Sequence, residues 1–333
     1  MIKENLIRLF ENSMKNNWDR PAMTDYLEKK TYTYGDIAKE VARLHVLFKS
    51  IGFEKGDKIA LVGKNGPKWC TVYIATVTYG GVIVPILQDF NPNDIQHIVN
   101  HSDAKFLFIS DNLWDNLFEE DLLYINGVFS LNDYRCIHQK DGYSIQKAYK
   151  AWDENFQETF PNGFSAADVL YPTIPNSEMV CISYTSGSTG FSKGVMLPHR
   201  ALWSNVKFAI EELHILEPGD GFICMLPLAH MFGLVIELLH TFCVGCHIYF
   251  LTRVPSPKVI MDAFAHVKPK VIIAVPLILE KIIKTRVFPL LEKPIMSLMM
   301  KVPFVDDYLL GKIKEKIEIT FRAIDRTEDG DSE

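Results

Sequence analysis

The sequence has no excess of positive charge, no apolar N-terminal segment and no uninterrupted apolar run of membrane length. Its 333 residues include 35 Lys and Arg against 41 Asp and Glu, a net charge of −6 that excludes the basic field of a nucleic-acid-binding protein. Charges begin at Lys3 and Glu4, which argues against a secretory signal. The longest apolar region, residues 234–251, is interrupted by Glu237 and His240 and favours a helix followed by a strand over a membrane span. We expect a cytoplasmic protein with at most peripheral membrane association and no nucleic-acid partner.

Cysteines are few, and they are scattered through mostly apolar segments. Cys243 and Cys246, followed by His247, match the C-x-x-C-H pattern of haem attachment and also a thiol–disulfide pair. Haem attachment requires export, and Gly245 is typical of a helix end before a strand. We therefore interpret all six cysteines as small buried apolar side chains.

Short apolar runs alternate with segments of helical length and pattern. Strands are predicted at residues 58–63, 82–86, 105–110, 221–225 and 246–251, and helices at 33–48, 67–79, 91–101, 198–213 and 231–242. Such alternation predicts βαβ units and a parallel sheet. Residues 111–175 have no clear period, and we predict a variable excursion there, before the segment that follows residue 175.

The segment from Thr185 to Gly194 has the composition of a phosphate-binding loop. Its ten residues hold three glycines, five hydroxyl side chains and Lys193. Glycines allow backbone N–H groups to approach a ligand and form an anion-binding nest, to which a lysine adds a mobile charge. The spacing matches neither a Walker loop, since Ser192 precedes the lysine and a glycine follows it, nor the dinucleotide fingerprint G-x-G-x-x-G.

This loop closely resembles the signature of the acyl-adenylate-forming (AMP-binding) enzymes, Tyr-Thr-Ser-Gly-[Ser/Thr]-Thr-Gly-x-Pro-Lys-Gly-Val. The sequence departs from it only by Ser192 in place of proline, which costs rigidity rather than chemistry. Residues 31–36, 80–85 and 226–234 resemble three further family motifs in the family's order. The last of these, Leu-Pro-Leu-Ala-His-Met-Phe-Gly-Leu, looks most like long-chain fatty acyl-CoA synthetases. The resemblance runs from about residue 10 to 320.

The resemblance implies an α/β fold with parallel-rich sheets flanked by helices, the large N-terminal domain of the adenylate-forming fold. It also implies ATP-dependent activation of a fatty acid or other carboxylic acid to acyl-AMP and then acyl-CoA, with ATP, Mg²⁺ and coenzyme A. Phosphate-binding residues carried over by position are Thr185, Ser186, Gly187, Ser188, Thr189, Gly190 and Lys193. Thr185 and Lys193 would be catalytic, with Thr185 also holding the metal. The substrate-pocket residues would be His230, Met231, Phe232 and Gly233.

Later family motifs, which frame adenine and ribose, are not found in the sequence. We therefore expect residues 1–324 to form a partial AMP-binding N-terminal domain, with subdomains of about 1–175 and 176–324. Residues 325–333 are expected to be a disordered acidic tail, because they carry no apolar anchors. The family's C-terminal lid domain is expected to be absent, and the chain is expected to be truncated and inactive in adenylation.

Two alternatives remain open at this stage. One keeps the family but activates an amino or aryl acid, although no carrier-domain sequence supports it. The other is a non-catalytic binding remnant, which the intact phosphate loop opposes. His230 alone is as readily explained as a helix cap or a core group as it is by a pocket wall.

Overall fold

The computed structural model describes residues 5–185, 193–251 and 257–273. Strands are β1 Pro21–Asp25, β2 Lys30–Thr33, β3 Lys58–Val62, β4 Val82–Ile86, β5 Phe106–Ile109, β6 Gly127–Ser130, β7 Cys136–Gln139, β8 Met179–Thr185, β9 Lys193–Pro198, β10 Gly221–Cys224 and β11 His247–Phe250. Helices are α1 Leu6–Asn16, α2 Tyr34–Ser50, α3 Pro67–Tyr79, α4 Pro92–His101, α5 Asp111–Trp114, α6 Ile145–Lys150, α7 Trp152–Thr159, α8 His199–Phe208, α9 Met231–Gly233, α10 Thr241–Val244 and α11 Pro257–Val267. A π-helical turn, Ala209–Leu213, extends α8, and a π-helical segment, Leu234–His240, joins α9 to α10.

The larger sheet has seven strands in the order β7-β6-β5-β3-β4-β8-β9. Its five inner strands pair in parallel, and the edge strands β7 and β9 pair antiparallel to their neighbours. Parallel strands are covered by helices on both faces, and accordingly β4 and β5 are buried along their whole length. The predicted α/β class is confirmed.

The smaller sheet has the order β10-β11-β1-β2. β1, β10 and β11 are parallel, while β2 pairs antiparallel with β1. Both sheets combine strands from before and after residue 175, so that residue does not mark a division between the sheets. The predicted domain limits stay a prediction, and the predicted acidic tail lies outside the described residues.

Helix boundaries follow local capping chemistry. Thr33 and Asp36 form a reciprocal capping box at the start of α2, and the Asn91 side chain accepts from the amide of Asp94 at the start of α4. Gly80 ends α3 with φ of +96°, a left-handed conformation that glycine adopts without steric cost. None of the helices within the described residues has the length and apolar character needed to cross a membrane.

Residues 111–175, where the sequence shows no clear period, contain regular strands and helices. β6 and β7 extend the larger sheet, with Phe129 of β6 stacked on Phe108 of β5 at a ring separation of 4.9 Å. Further along, the Trp152 indole donates to the carbonyl of Arg43 and docks α7 on α2. Strands of four residues are too short to show a period, and their burial depends on distant partners.

The expectation of buried cysteines is confirmed for four of the six, whereas Cys136 and Cys243 are half-buried. All six are free, and four are buried, which are Cys70, Cys181, Cys224 and Cys246. Gly245 ends α10 in a left-handed conformation with φ of +100°. His247 starts β11, where its Nε2 lies 2.6 Å from the hydroxyl of Thr24.

Candidate functional site

The two ends of the predicted phosphate loop meet in an antiparallel strand pair. Thr185, the last residue of β8, lies opposite Lys193, the first residue of β9. Both residues are exposed. The loop residues Ser186, Gly187, Ser188, Thr189 and Gly190 lie outside the described part of the chain. The structure therefore fixes the base of the predicted loop rather than the loop itself.

Tyr184, the residue before Thr185 in β8, holds the base of the predicted loop in place. Its hydroxyl lies 2.7 Å from Nδ1 of His101 at the end of α4, and burial raises the pKa of Tyr184 to about 12, with the charge of Asp103 adding to the shift. Opposite Tyr184 stands Gly194, where a Cβ atom would lie 3.0 Å from Cγ2 of Ile182 and 3.1 Å from Cζ of Tyr184. Gly194, which directly follows Lys193 in the signature, thus has a packing role, since it lets the tyrosine ring lie close across the strand pair.

β9 leads directly into α8 at a buried histidine. The amide of His199 donates to the carbonyl of Glu178 at 2.9 Å, and that of Arg200 donates to the carbonyl of Asn176 at 2.9 Å. Burial lowers the pKa of His199 to about 4, against the opposing charge of Glu178, so this side chain is neutral at pH 7. Arg200 is exposed, and the predicted start of a helix near residue 198 is confirmed.

The motif at residues 226–234 forms a tight turn between β10 and α9. The amide of His230 donates to the carbonyl of Pro227 at 3.0 Å, and the exposed His230 is the N-cap of α9. A Cβ atom at Gly233 would lie 2.7 Å from the Pro227 oxygen. The helix start therefore packs against the turn as closely as a glycine permits.

An apolar groove of about 390 Å³ lies between β9 and α8 on one side and α9 with its π-helical continuation on the other. Its lining residues are Leu197, Ala201, Leu202, Asn205, Phe208, Ala209, Leu213, Met231, Phe232, Val235 and Ile236. Met231 and Phe232 of the predicted pocket thus line the groove together with Leu197 of β9, whereas Gly233 is not among the lining residues. His230 is not part of this lining.

Two side chains that the sequence did not single out as functional hold the same turn. The Asn65 amide donates to the carbonyl of Leu226 at 2.7 Å, and its oxygen accepts from the amide of Leu228 at 3.0 Å. The carboxylate of Glu237 accepts from the amides of Met225 at 3.1 Å and Leu226 at 2.8 Å. A charge-bearing residue inside an apolar helix was a signal for Glu237, whereas Asn65 carries no such signal in the sequence.

Burial controls the charge of Glu237. Desolvation raises its pKa from 4.5 to about 8, against hydrogen bonds from the two backbone amides and the neighbouring Cys224 thiol, which favour the ionised form. The carboxyl group is therefore predominantly neutral at pH 7. Among the residues that the structure describes, no group of three or more His, Cys, Asp or Glu side chains is placed to hold a metal ion.

Comparison with known proteins places these features in a family. The family described as "AMP-binding enzyme" matches residues 10–302. The chain belongs to the AMP-binding enzyme family. The resemblance inferred from residues 185–194 and from the three further motifs is thereby confirmed.

Curated members of the family share about a quarter of their residues with this chain. Acyl-CoA ligase sidI of Aspergillus fumigatus is 25% identical over 258 residues, which cover 76% of this chain and 43% of that protein. Long chain acyl-CoA synthetase 3 of Arabidopsis thaliana is 27% identical over 257 residues, which cover 75% of this chain and 37% of that protein. The chain therefore spans less than half the length of these two relatives.

Solved structures share the fold. The N-terminal domain of FACL13 from Mycobacterium tuberculosis superposes with a TM-score of 0.68 at 17% identity, over 87% of this chain and 68% of that one. ATP-bound MatB from Rhodopseudomonas palustris superposes with a TM-score of 0.65 at 22% identity, over 87% and 52% of the two chains. A red-emitting luciferase from Phrixothrix hirtus superposes with a TM-score of 0.70 at 17% identity, over 91% of this chain and 53% of that one. The predicted N-terminal adenylate-forming fold is confirmed.

Proposed function

We propose that this chain supplies the phosphate-binding and acid-binding parts of an acid–thiol ligase, which activates a fatty acid with ATP to acyl-AMP and transfers the acyl group to coenzyme A. The observation that carries the proposal is the course of β9. This strand begins at Lys193, beside Thr185, and contributes Leu197 to the apolar groove. One six-residue strand thus links the predicted phosphate loop to the proposed acid site.

Lys193 and Thr185 are suited to the phosphate end. An exposed ammonium group at the loop base can approach a polyphosphate and offset the charge of the pyrophosphate leaving group. The neighbouring Thr185 hydroxyl is an oxygen ligand of the kind Mg²⁺ accepts beside phosphate oxygens. When bound, Mg-ATP supplies the α-phosphate that the substrate carboxylate attacks. The residues of this chain hold the phosphates in position for that step.

The groove is suited to an apolar acyl chain. Its volume of about 390 Å³ lies within the range of small-molecule sites. Among the described lining residues Asn205 is the one polar side chain, and its amide is already bonded to the carbonyl of Ala201 at 2.7 Å. An amino-acid substrate needs a carboxylate to receive its ammonium group, and none of the described lining residues provides one. This composition favours a fatty acid over an amino acid.

The test is an equilibrium titration of the 333-residue chain with Mg-ATP and, separately, with palmitate. The quantity measured at each ligand concentration is the thermal unfolding midpoint. Ligands that bind the folded state raise the midpoint by mass action. We expect both ligands to raise it. A chain that responds to neither ligand contradicts the proposal, and a response to ATP alone contradicts the acid site.

A further inference from the structure

The buried carboxyl group of Glu237 takes up two backbone amides that no strand partner satisfies. β10 ends at Cys224, and the next two amides, of Met225 and Leu226, point at Oε2 of Glu237. Glu237 is fully buried. A buried amide that loses its acceptor is strongly disfavoured, so this carboxyl group determines where the chain turns after β10.

Asn65 holds the same turn from a different element of the fold. It follows β3 of the larger sheet, whereas the turn follows β10 of the smaller sheet. Through one donated and one accepted hydrogen bond it fixes the carbonyl of Leu226 and the amide of Leu228. Its Nδ2 atom also lies 3.4 Å from Sγ of Cys224. The turn is therefore held by side chains from two different elements.

The held turn is adjacent to the groove wall. The amide of His230 bonds back to Pro227, and the carbonyl of His230 accepts from the amide of Leu234 at 2.8 Å. Gly233 packs on Pro227 with no room for a side chain. Any displacement of residues 225–228 is thus transmitted to Met231 and Phe232.

We propose that Glu237 and Asn65 are positioning residues, which hold the 225–228 turn from two different elements and thereby keep Met231 and Phe232 in the wall of the acid-binding groove. The consequence for ligand binding rests on the proposed function of that groove. The rigidity of the turn does not depend on it. Neither residue contacts the groove, since neither belongs to its lining.

The chemistry of the carboxyl group indicates which substitutions separate positioning from charge. A carboxyl group that is neutral at pH 7 is close in shape and hydrogen bonding to a glutamine side chain. Glu237→Gln keeps one oxygen that accepts from both amides, whereas Glu237→Leu leaves both amides buried without an acceptor. Asn65→Ala removes the second set of hydrogen bonds to the turn, from a partly exposed position. Thr241→Val is the matched control, because its buried hydroxyl bonds to the carbonyl of Glu237 on the same helix and does not reach the turn.

The experiment measures amide hydrogen exchange in peptides covering residues 222–233, together with the affinities for palmitate and for Mg-ATP. We expect Glu237→Leu and Asn65→Ala each to accelerate exchange in these peptides and to weaken palmitate binding roughly tenfold, the equivalent of one lost buried hydrogen bond. Mg-ATP affinity is expected to stay within about twofold, because β8 and β9 belong to the other sheet. Glu237→Gln and Thr241→Val are expected to retain wild-type exchange in this segment and wild-type palmitate affinity.

The outcomes separate this inference from the proposed function. Unchanged exchange at 222–233 in both Glu237→Leu and Asn65→Ala overturns the positioning role, whatever the wild type binds. An equal loss of palmitate and Mg-ATP affinity also overturns it, since that pattern reports general destabilisation. If exchange accelerates but wild-type protein binds no palmitate, the turn is held as inferred and the acid-binding function is wrong. If Glu237→Leu does not fold, Asn65→Ala decides the matter alone.

Discussion

Thr185 and Lys193 lie directly opposite each other in the β8–β9 strand pair, although seven residues separate them in the chain. This register brings a hydroxyl group and an ammonium group to the same end of the strand pair that flanks the glycine-rich segment. In the neighbouring pair of the same two strands, Tyr184 and Gly194 pack together, which stabilises this register. This close packing accounts for the glycine at position 194, directly after Lys193.

Removal of the Lys193 ammonium group is expected to weaken phosphate binding without affecting the fold. Lys193→Ala should lower affinity for Mg-ATP and for magnesium pyrophosphate by roughly tenfold or more, since a hydrogen bond to a charged group contributes about 1.5–3 kcal/mol. The side chain is exposed, so the free energy of unfolding should change by less than about 0.5 kcal/mol. Calorimetric titration measures the affinities. Lys150→Ala, an exposed lysine at the end of α6, is the control and should bind both ligands as the wild type does.

Phe232 is expected to contribute to acid binding much more than to stability. Its side chain is 63% exposed although it lines the groove. Phe232→Ser should reduce palmitate affinity roughly tenfold, because an acyl chain in the groove would cover this ring. Phe118→Ser is a matched control, since Phe118 is 62% exposed and lies outside the groove lining. Equal palmitate affinities in the two variants would show that the acid lies elsewhere.

Gly233 is expected to tolerate no side chain. A Cβ atom there would lie 2.7 Å from the Pro227 oxygen and 3.1 Å from Cβ of Leu226. Gly233→Ala should therefore destabilise the protein by about 1–3 kcal/mol through overpacking. Chemical denaturation with urea measures the difference. Gly66→Ala is the control, because Gly66 has extended backbone with φ of 173° and a Cβ atom there would contact nothing within 4 Å. A Gly233→Ala protein as stable as the control refutes the close packing of the turn on α9.

Stability should fall with rising pH through the titration of Glu237. Burial raises the pKa of this carboxyl group from 4.5 to about 8. A carboxyl group whose pKa is raised in the folded state stabilises the fold fully at low pH. This contribution is lost as the pH rises from the ordinary pKa of the group to its folded-state pKa, at about 1.4 kcal/mol per pH unit. His199, which is buried, and His45 and His247, which are half-buried, have lowered pKa values of about 4, because desolvation disfavours their charged forms, and they reduce stability only below about pH 6.5.

The window from pH 6.5 to 8 therefore isolates the carboxyl group. Urea unfolding of wild type and Glu237→Gln across that window should show the wild type losing about 2 kcal/mol relative to the variant. Parallel stability curves for the two proteins would mean that Glu237 is already ionised at neutral pH. That result would remove the reason for treating glutamine as its isostere.

Local chemistry explains which parts of the fold the sequence predicts. The starts of α2 and α4 are predictable because Thr33 and Asn91 cap helices through residues three positions away. The phosphate loop is recognisable because its chemistry is contiguous. β6 and β7 are not predictable, since each has four residues and is defined by pairing with strands elsewhere in the chain.

The residues that hold the turn beside the groove, Asn65 and Glu237, could not be identified from the sequence for a similar reason. Asn65 bonds to Leu226, 161 positions later, and nothing near Asn65 in the sequence marks that contact. Glu237 is detectable as a carboxylate within an apolar helix, although the sequence does not reveal that its partners are the amides of Met225 and Leu226. Contiguous motifs therefore identify the residues proposed to contact ligand, and only the folded chain identifies those that hold them.

The most direct test of the central claim is hydrogen exchange of the 333-residue chain with each ligand in turn. Mg-ATP is predicted to protect peptides that cover residues 183–196. Palmitate is predicted to protect peptides that cover residues 197–213 and 226–236, on the two sides of the groove. Protection by either ligand that lies wholly outside its predicted segments would contradict the assignment of a phosphate site and an acid site joined by β9.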